Sequence, residues 1–163
     1  PTLEPSLADW RRMIEINFFW LVNLCKLAIP GMSSASSARC VHITSEEGFN
    51  IPRGGDAPYS VVKGAANRLL GHLSSEFEGT ALTIHAVLPG AIKSNMWLKI
   101  RDASEGVPGL ERLRHWAKIT GDRPDDPRKV GELIGKLIGN EFANKAHGKF
   151  IWAQEPERME ALG

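Results

Sequence analysis

Apolar residues recur along the chain in two rhythms. Leu7, Trp10, Met13, Ile14, Trp20, Leu21, Leu24, Leu27 and Ala28 follow one another at helical steps, which predicts an amphipathic helix over 7–29. Ser6 and Asp9 have capping-box spacing at its start, and Pro30-Gly31 marks its expected end. Residues 33–38 are small and polar and read as a loop. Cys40 to Thr44 is short, apolar and β-branched, so it reads as a strand. Gly48 to Pro58 is punctuated by Gly and Pro and reads as loop. A second helix is expected over 59–77, with Val62, Ala66, Leu69, Leu73 and Phe77 on one face. Leu82 to Leu88 is a continuous apolar strand closed by Pro89-Gly90. Residues 91–125 are mixed, with a short helix expected around 110–119. Asp126-Pro127 opens a further helix striped by Val130, Leu133, Ile134, Leu137 and Ile138, and 149–153 is a last short strand.

Helix and strand therefore alternate, and the strands are apolar throughout rather than on alternate residues. That pattern predicts an α/β fold with a parallel sheet of three strands covered on both faces. At 163 residues the chain has the length of one domain. The net charge of +1 excludes a strongly basic nucleic-acid binder. The run 18–29 is interrupted by Asn23 and Lys26 and is short of the ~20 residues of a membrane span, so no membrane partner is expected. Cys25 and Cys40 are the only cysteines, which points to a reducing compartment, the cytoplasm.

Tyr59 is the only tyrosine, and Lys63 follows it by one helical turn. An ammonium there can stabilise a tyrosinate and bring the phenol toward the range of a general acid/base. The pair by itself equally suits a surface tyrosine packed on a lysine stem. Ser45, fourteen residues upstream, sits at the carboxyl end of the first strand, the end where open α/β sheets bind ligands. Pro89, Gly90, Ile92 and Ser94 follow the end of the second strand. Asn17 falls on the apolar stripe of the first helix, where a buried amide needs a hydrogen-bond partner. The five histidines have no metal-ligand spacing. Met96, Trp97, Leu98, Ile100, Leu110, Leu113 and Trp116 suit either an apolar pocket or simple packing.

Taken together, Asn17, Ser45, Tyr59-x-x-x-Lys63 and Pro89-Gly90-x-Ile92-x-Ser94 resemble the short-chain dehydrogenase/reductase family, in order and over nearly the whole chain. The resemblance implies the carboxyl-terminal part of a Rossmann-like, doubly wound sheet. It implies an Asn–Ser–Tyr–Lys tetrad, with Tyr59 as acid/base, Lys63 as its tuner and ribose contact, Ser45 as carbonyl polariser and Asn17 as anchor of a water relay. It implies that Tyr59, Lys63, Pro89, Gly90, Ile92 and Ser94 contact NAD or NADP. The substrate would be a small-molecule alcohol or carbonyl compound. Homo-oligomers built on helices 7–29 and 59–77 are expected, since both carry surplus apolar or small residues. No glycine-rich turn of the form G-x-x-x-G-x-G is present, and the chain begins with Pro1, so an amino-terminally truncated domain, inactive alone, is expected. Two other readings are a helix-mediated interaction module and a nucleotide-sugar epimerase or dehydratase of the extended branch.

Overall fold

The strand Leu82–Leu88 (β2) is buried at every residue and forms the axis of the fold. It pairs in parallel with β1 (Ala38–Ile43) on one side and β3 (Lys149–Trp152) on the other. In this computed structural model, which describes residues 2–49 and 56–162, the sheet order is β1-β2-β3-β4. The three expected strands are thus present and parallel, and β4 (Glu155–Ala161) adds an antiparallel fourth beside β3, which makes the sheet mixed. Its sequence, EPERMEA, is charged and mostly exposed, which suits an edge strand that must resist pairing with other chains.

Successive residues of β2 face opposite sides. Leu82, Ile84, Ala86 and Leu88 join Phe150 and Trp152 in a core under the helices α2 (Trp20–Ser33) and α3 (Ala57–Glu76). Val87 and Ile151 pack on the other face with Leu133 and Leu137 of α6 (Pro127–Ile138). The sheet is thus covered on both sides, as its apolar strands required. Each fully buried Leu or Ile stabilises this arrangement by about 1.5–3 kcal/mol.

The first helix departs from the expected 7–29. It begins as α1 (Leu7–Ile14) behind the Ser6–Asp9 capping box, widens into a π-helical turn at Glu15–Phe19, and continues as α2. Pro30 and Gly31 do not stop it. Ile29 is buried against the sheet, and the Ser33 and Ser34 hydroxyls both donate to the Pro30 carbonyl at 3.1 Å, which carries the backbone one turn further. By length and composition alone this 27-residue helix is long and apolar enough to cross a membrane, longer than the interrupted run suggested. In the fold, Leu21, Cys25 and Ile29 are buried in the core beneath it.

Expected strand 40–44 begins two residues earlier, at Ala38, and α3 begins two residues before Tyr59. Of the expected loop 48–58, residues 50–55 lie outside the described residues. The mixed segment holds two helices, not one: α4 (Asn95–Ser104), capped by the Ser94 side chain, and α5 (Glu111–Asp122). A short helix α7 (Asn140–Lys145) precedes β3.

Candidate functional site

Ser45 lies two residues past the end of β1 and caps a 3₁₀ turn, Glu46–Gly48, accepting a hydrogen bond from the Glu47 N–H at 3.3 Å. That turn is pressed onto α3. The Ser60 hydroxyl donates to the Glu47 carbonyl at 2.7 Å, and the Thr44 hydroxyl bonds the Asn67 side-chain carbonyl. Gly48 permits the approach: a Cβ there would come within 2.8 Å of the Lys63 carbonyl carbon and 3.0 Å of the Gly64 nitrogen. Gly64 is in turn covered by the Gly48 carbonyl, so this small residue serves packing within the chain and is not a bare face for a partner helix.

That docking brings the Ser45 hydroxyl close enough to the Tyr59 phenol to pull its pKa downward. Lys63, one turn on, places its Nζ 5.6 Å from the centre of the Tyr59 ring. Burial pushes the phenol above its ordinary range, the Ser45 hydrogen bond pulls it partly back, and the Asp56 carboxylate adds a small upward push. The net shift is upward, opposite to the lowering expected from Lys63. Burial also lowers the Lys63 ammonium, because a desolvated cation is disfavoured. His42, on the face of β1 that also carries Cys40 and Thr44, is held neutral by burial and by the charge of Lys63, with its pKa lowered to about 4. Its Nε2 is buried and has no hydrogen-bond partner among the described residues.

Asn17 sits in the π-helical turn, half-buried, and donates from Nδ2 to the Met13 carbonyl at 3.1 Å. The turn packs against α3, the helix that carries Tyr59 and Lys63. π-turns arise where one residue too many is accommodated in a helix, and they are frequent at functional sites.

Pro89 to Ser94 leaves β2 at the same end of the sheet. Gly90 has φ +88°, a conformation that favours glycine, and Asp125 lies against it where a Cβ would stand. The Ala91 N–H donates to Asp125 Oδ2 at 2.6 Å, and the Asp125 N–H donates back to the Ala91 carbonyl at 3.2 Å. The Gln154 side-chain amide donates to the Pro89 and Asp126 carbonyls, both at 3.0 Å. Ser94 accepts from the Trp97 N–H at 3.3 Å and starts α4. Trp97 is 3% exposed and donates from its indole to the Ala117 carbonyl at 3.0 Å, so it packs α4 onto α5 while Met96 and Leu98 point outward.

Asp125, Gln154, Glu46 and Trp152 were not singled out from the sequence. Their partners lie up to 106 positions away, and no local pattern signals such a pairing. A cleft of about 430 Å³ lined by Arg68, His72, Glu78 and His147 opens at the opposite, amino-terminal end of the strands and includes none of the expected residues. No cluster of metal-ligating side chains occurs among the described residues.

Residues 1–105 match the family model described as short chain dehydrogenase. Oxidoreductase UcpA of Escherichia coli K12 is 29% identical over 140 residues, which are 85% of this chain and 53% of that protein. Meso-2,3-butanediol dehydrogenase of Serratia marcescens is 27% identical over 150 residues, 89% of this chain and 55% of that protein. A crystal structure of an actinorhodin polyketide ketoreductase with NADPH superposes with a TM-score of 0.77 at 25% identity, over 93% of this chain and 60% of that one. The chain spans about half the length of the curated relatives it matches.

Proposed function

This chain belongs to the short chain dehydrogenase family, and we propose that it forms the catalytic part of an NAD(P)-dependent oxidoreductase interconverting an alcohol and a carbonyl. The observation that carries this reading is the contact of Ser45 with Tyr59, with Lys63 one turn away.

In the reductive direction Tyr59 donates its phenolic proton to the carbonyl oxygen. A tyrosine phenol is protonated at neutral pH, the form that donates. Ser45 holds the same oxygen by hydrogen bonding. Lys63 stabilises the tyrosinate left behind, and Asn17 anchors a water relay that returns the proton. NAD(P), when bound, would supply the hydride. The residues present suit one end of that group. Lys63 is half-buried and joins no ion pair among the described residues, a donor set fitted to ribose hydroxyls. Pro89, Gly90, Ile92 and Ser94 would hold the nicotinamide end. The NADPH named for the similar ketoreductase structure supports a cofactor of this class.

Self-association is part of the proposal. Leu7, Ile16, Trp20 and Leu27 of the first helix are 74, 56, 60 and 83% exposed, and Val61 of α3 adds 54%. The free cysteines fit a reducing compartment, the cytoplasm.

The test is turnover of a carbonyl panel by the complete protein with NADH and NADPH. Tyr59→Phe should lower turnover about 10²–10⁴-fold while cofactor binding stays near normal. Turnover of that variant within a few-fold of wild type sinks the assignment.

A further inference from the structure

The hairpin β3–β4 reaches both loops of the site. At the end of β3 the ladder to β4 slips between Ile151 and Trp152, an irregularity of the kind that re-aims a side chain. Trp152 is 6% exposed and donates from its indole to Glu46 Oε1 at 2.7 Å, the residue immediately after Ser45. Phe49, at the end of the same turn, stacks on Phe150 at 4.9 Å and meets Trp152 edge-on at 5.8 Å. From β4 the Arg158 guanidinium lies over the Trp152 indole at 3.9 Å and closes that ring from the solvent side. Two residues beyond Trp152, Gln154 splits its amide between the Pro89 carbonyl and the Asp126 carbonyl, both at 3.0 Å.

We infer that this hairpin is a two-armed bracket: Trp152 positions the turn behind Ser45, and Gln154 positions the cofactor-side loop 89–94. Neither residue touches the expected reacting atoms, so both are positioning residues, and the inference rests on the function proposed above. The family match ends at residue 105, well before the hairpin. The two arms use different side chains on different loops. They therefore act on different kinetic quantities, which a purely structural role for the hairpin would not separate. Trp152 bears on the group that polarises the carbonyl, hence on kcat. Gln154 bears on the loop assigned to the nicotinamide end, hence on cofactor affinity.

The experiment uses the complete protein with Trp152→Phe, which keeps an aromatic ring and removes the N–H, and Gln154→Leu. Trp152→Phe should lower kcat about tenfold and leave the cofactor KM within about twofold. Gln154→Leu should raise the cofactor KM about tenfold and leave kcat within about twofold. Amide hydrogen exchange without cofactor should quicken at 46–49 in the first variant only and at 89–94 in the second only. If Trp152→Phe does not fold, Arg158→Gln carries the same arm and should lower kcat about threefold with unchanged cofactor KM. Variants that change the same kinetic parameter, or neither, or that quicken exchange in both loops alike, overturn the bracket. A wild-type protein inert with both cofactors overturns the proposed function instead, and the exchange pattern then decides the bracket by itself.

Discussion

Gly48→Ala tests whether close docking of the Ser45 turn on α3 builds the site. Gly48 does not have a positive φ, so alanine is allowed by the local backbone and would by itself gain about 0.4–1 kcal/mol by restricting the unfolded chain. The surroundings reverse that sign. The new methyl would stand 2.8 Å from the Lys63 carbonyl carbon and 3.0 Å from the Gly64 nitrogen. Both are backbone atoms in the middle of a helix and cannot rotate aside. Overpacking of this kind costs about 1–3 kcal/mol, which leaves a net loss of up to about 2.6 kcal/mol. For a chain of this size that corresponds to a fall in Tm of up to roughly 10 °C. The turn can relieve the clash only by lifting off α3, and that moves Ser45 away from Tyr59. A displacement approaching 1 Å costs up to about 10²-fold in rate. Gly131→Ala is the control: it lies within α6 with no atom within 4 Å of the new Cβ, and should gain about 0.5–1 kcal/mol with unchanged kcat. Urea unfolding and initial rates on the complete protein read both quantities. Gly48→Ala with wild-type stability and wild-type kcat, alongside a stabilised Gly131→Ala, would refute the reasoning.

Lys63→Ala should weaken cofactor binding and turnover together, which calorimetric titration and steady-state rates on the complete protein will register; loss of only one contradicts its double role. Acid should destabilise the fold through His42 and His85. Each is pushed down to about 4 from 6.5, chiefly by burial, so the unfolded chain binds protons the folded one does not, and stability falls as pH drops from about 6.5 through 4. A shift of that size corresponds to about 3 kcal/mol for each histidine; His85→Gln should flatten the pH dependence of the urea midpoint, and an unchanged slope would count against it. The 163 residues by themselves should bind neither NADH nor NADPH at micromolar concentrations, since a dinucleotide is held at its pyrophosphate by a glycine-rich turn that this sequence lacks; micromolar binding by calorimetry would show that the retained end suffices.

Local periodicity was enough to place β2, where every residue is apolar or buried, and to place α3 and α6 within two residues, because their stripes repeat every turn. Spacing alone put Tyr59 and Lys63 on one helical face and Ser45 at a strand end. Other features depended on what each segment met in space. β4 was illegible because a mostly exposed edge strand with four charges has neither strand rhythm nor strand composition. Pro30 read as a stop, yet burial of Ile29 and two serine hydroxyls carried the helix past it. The π-helical turn at Asn17 left no mark in a sequence that reads as ordinary helix. The direction of the Tyr59 shift followed from burial, which outweighed the opposing pull of Ser45. Asp125 on Ala91, Gln154 on Pro89 and Trp152 on Glu46 join residues 34, 65 and 106 positions apart. A hydrogen bond requires a donor and acceptor about 3 Å apart, and over such separations only the folded sheet brings them that close.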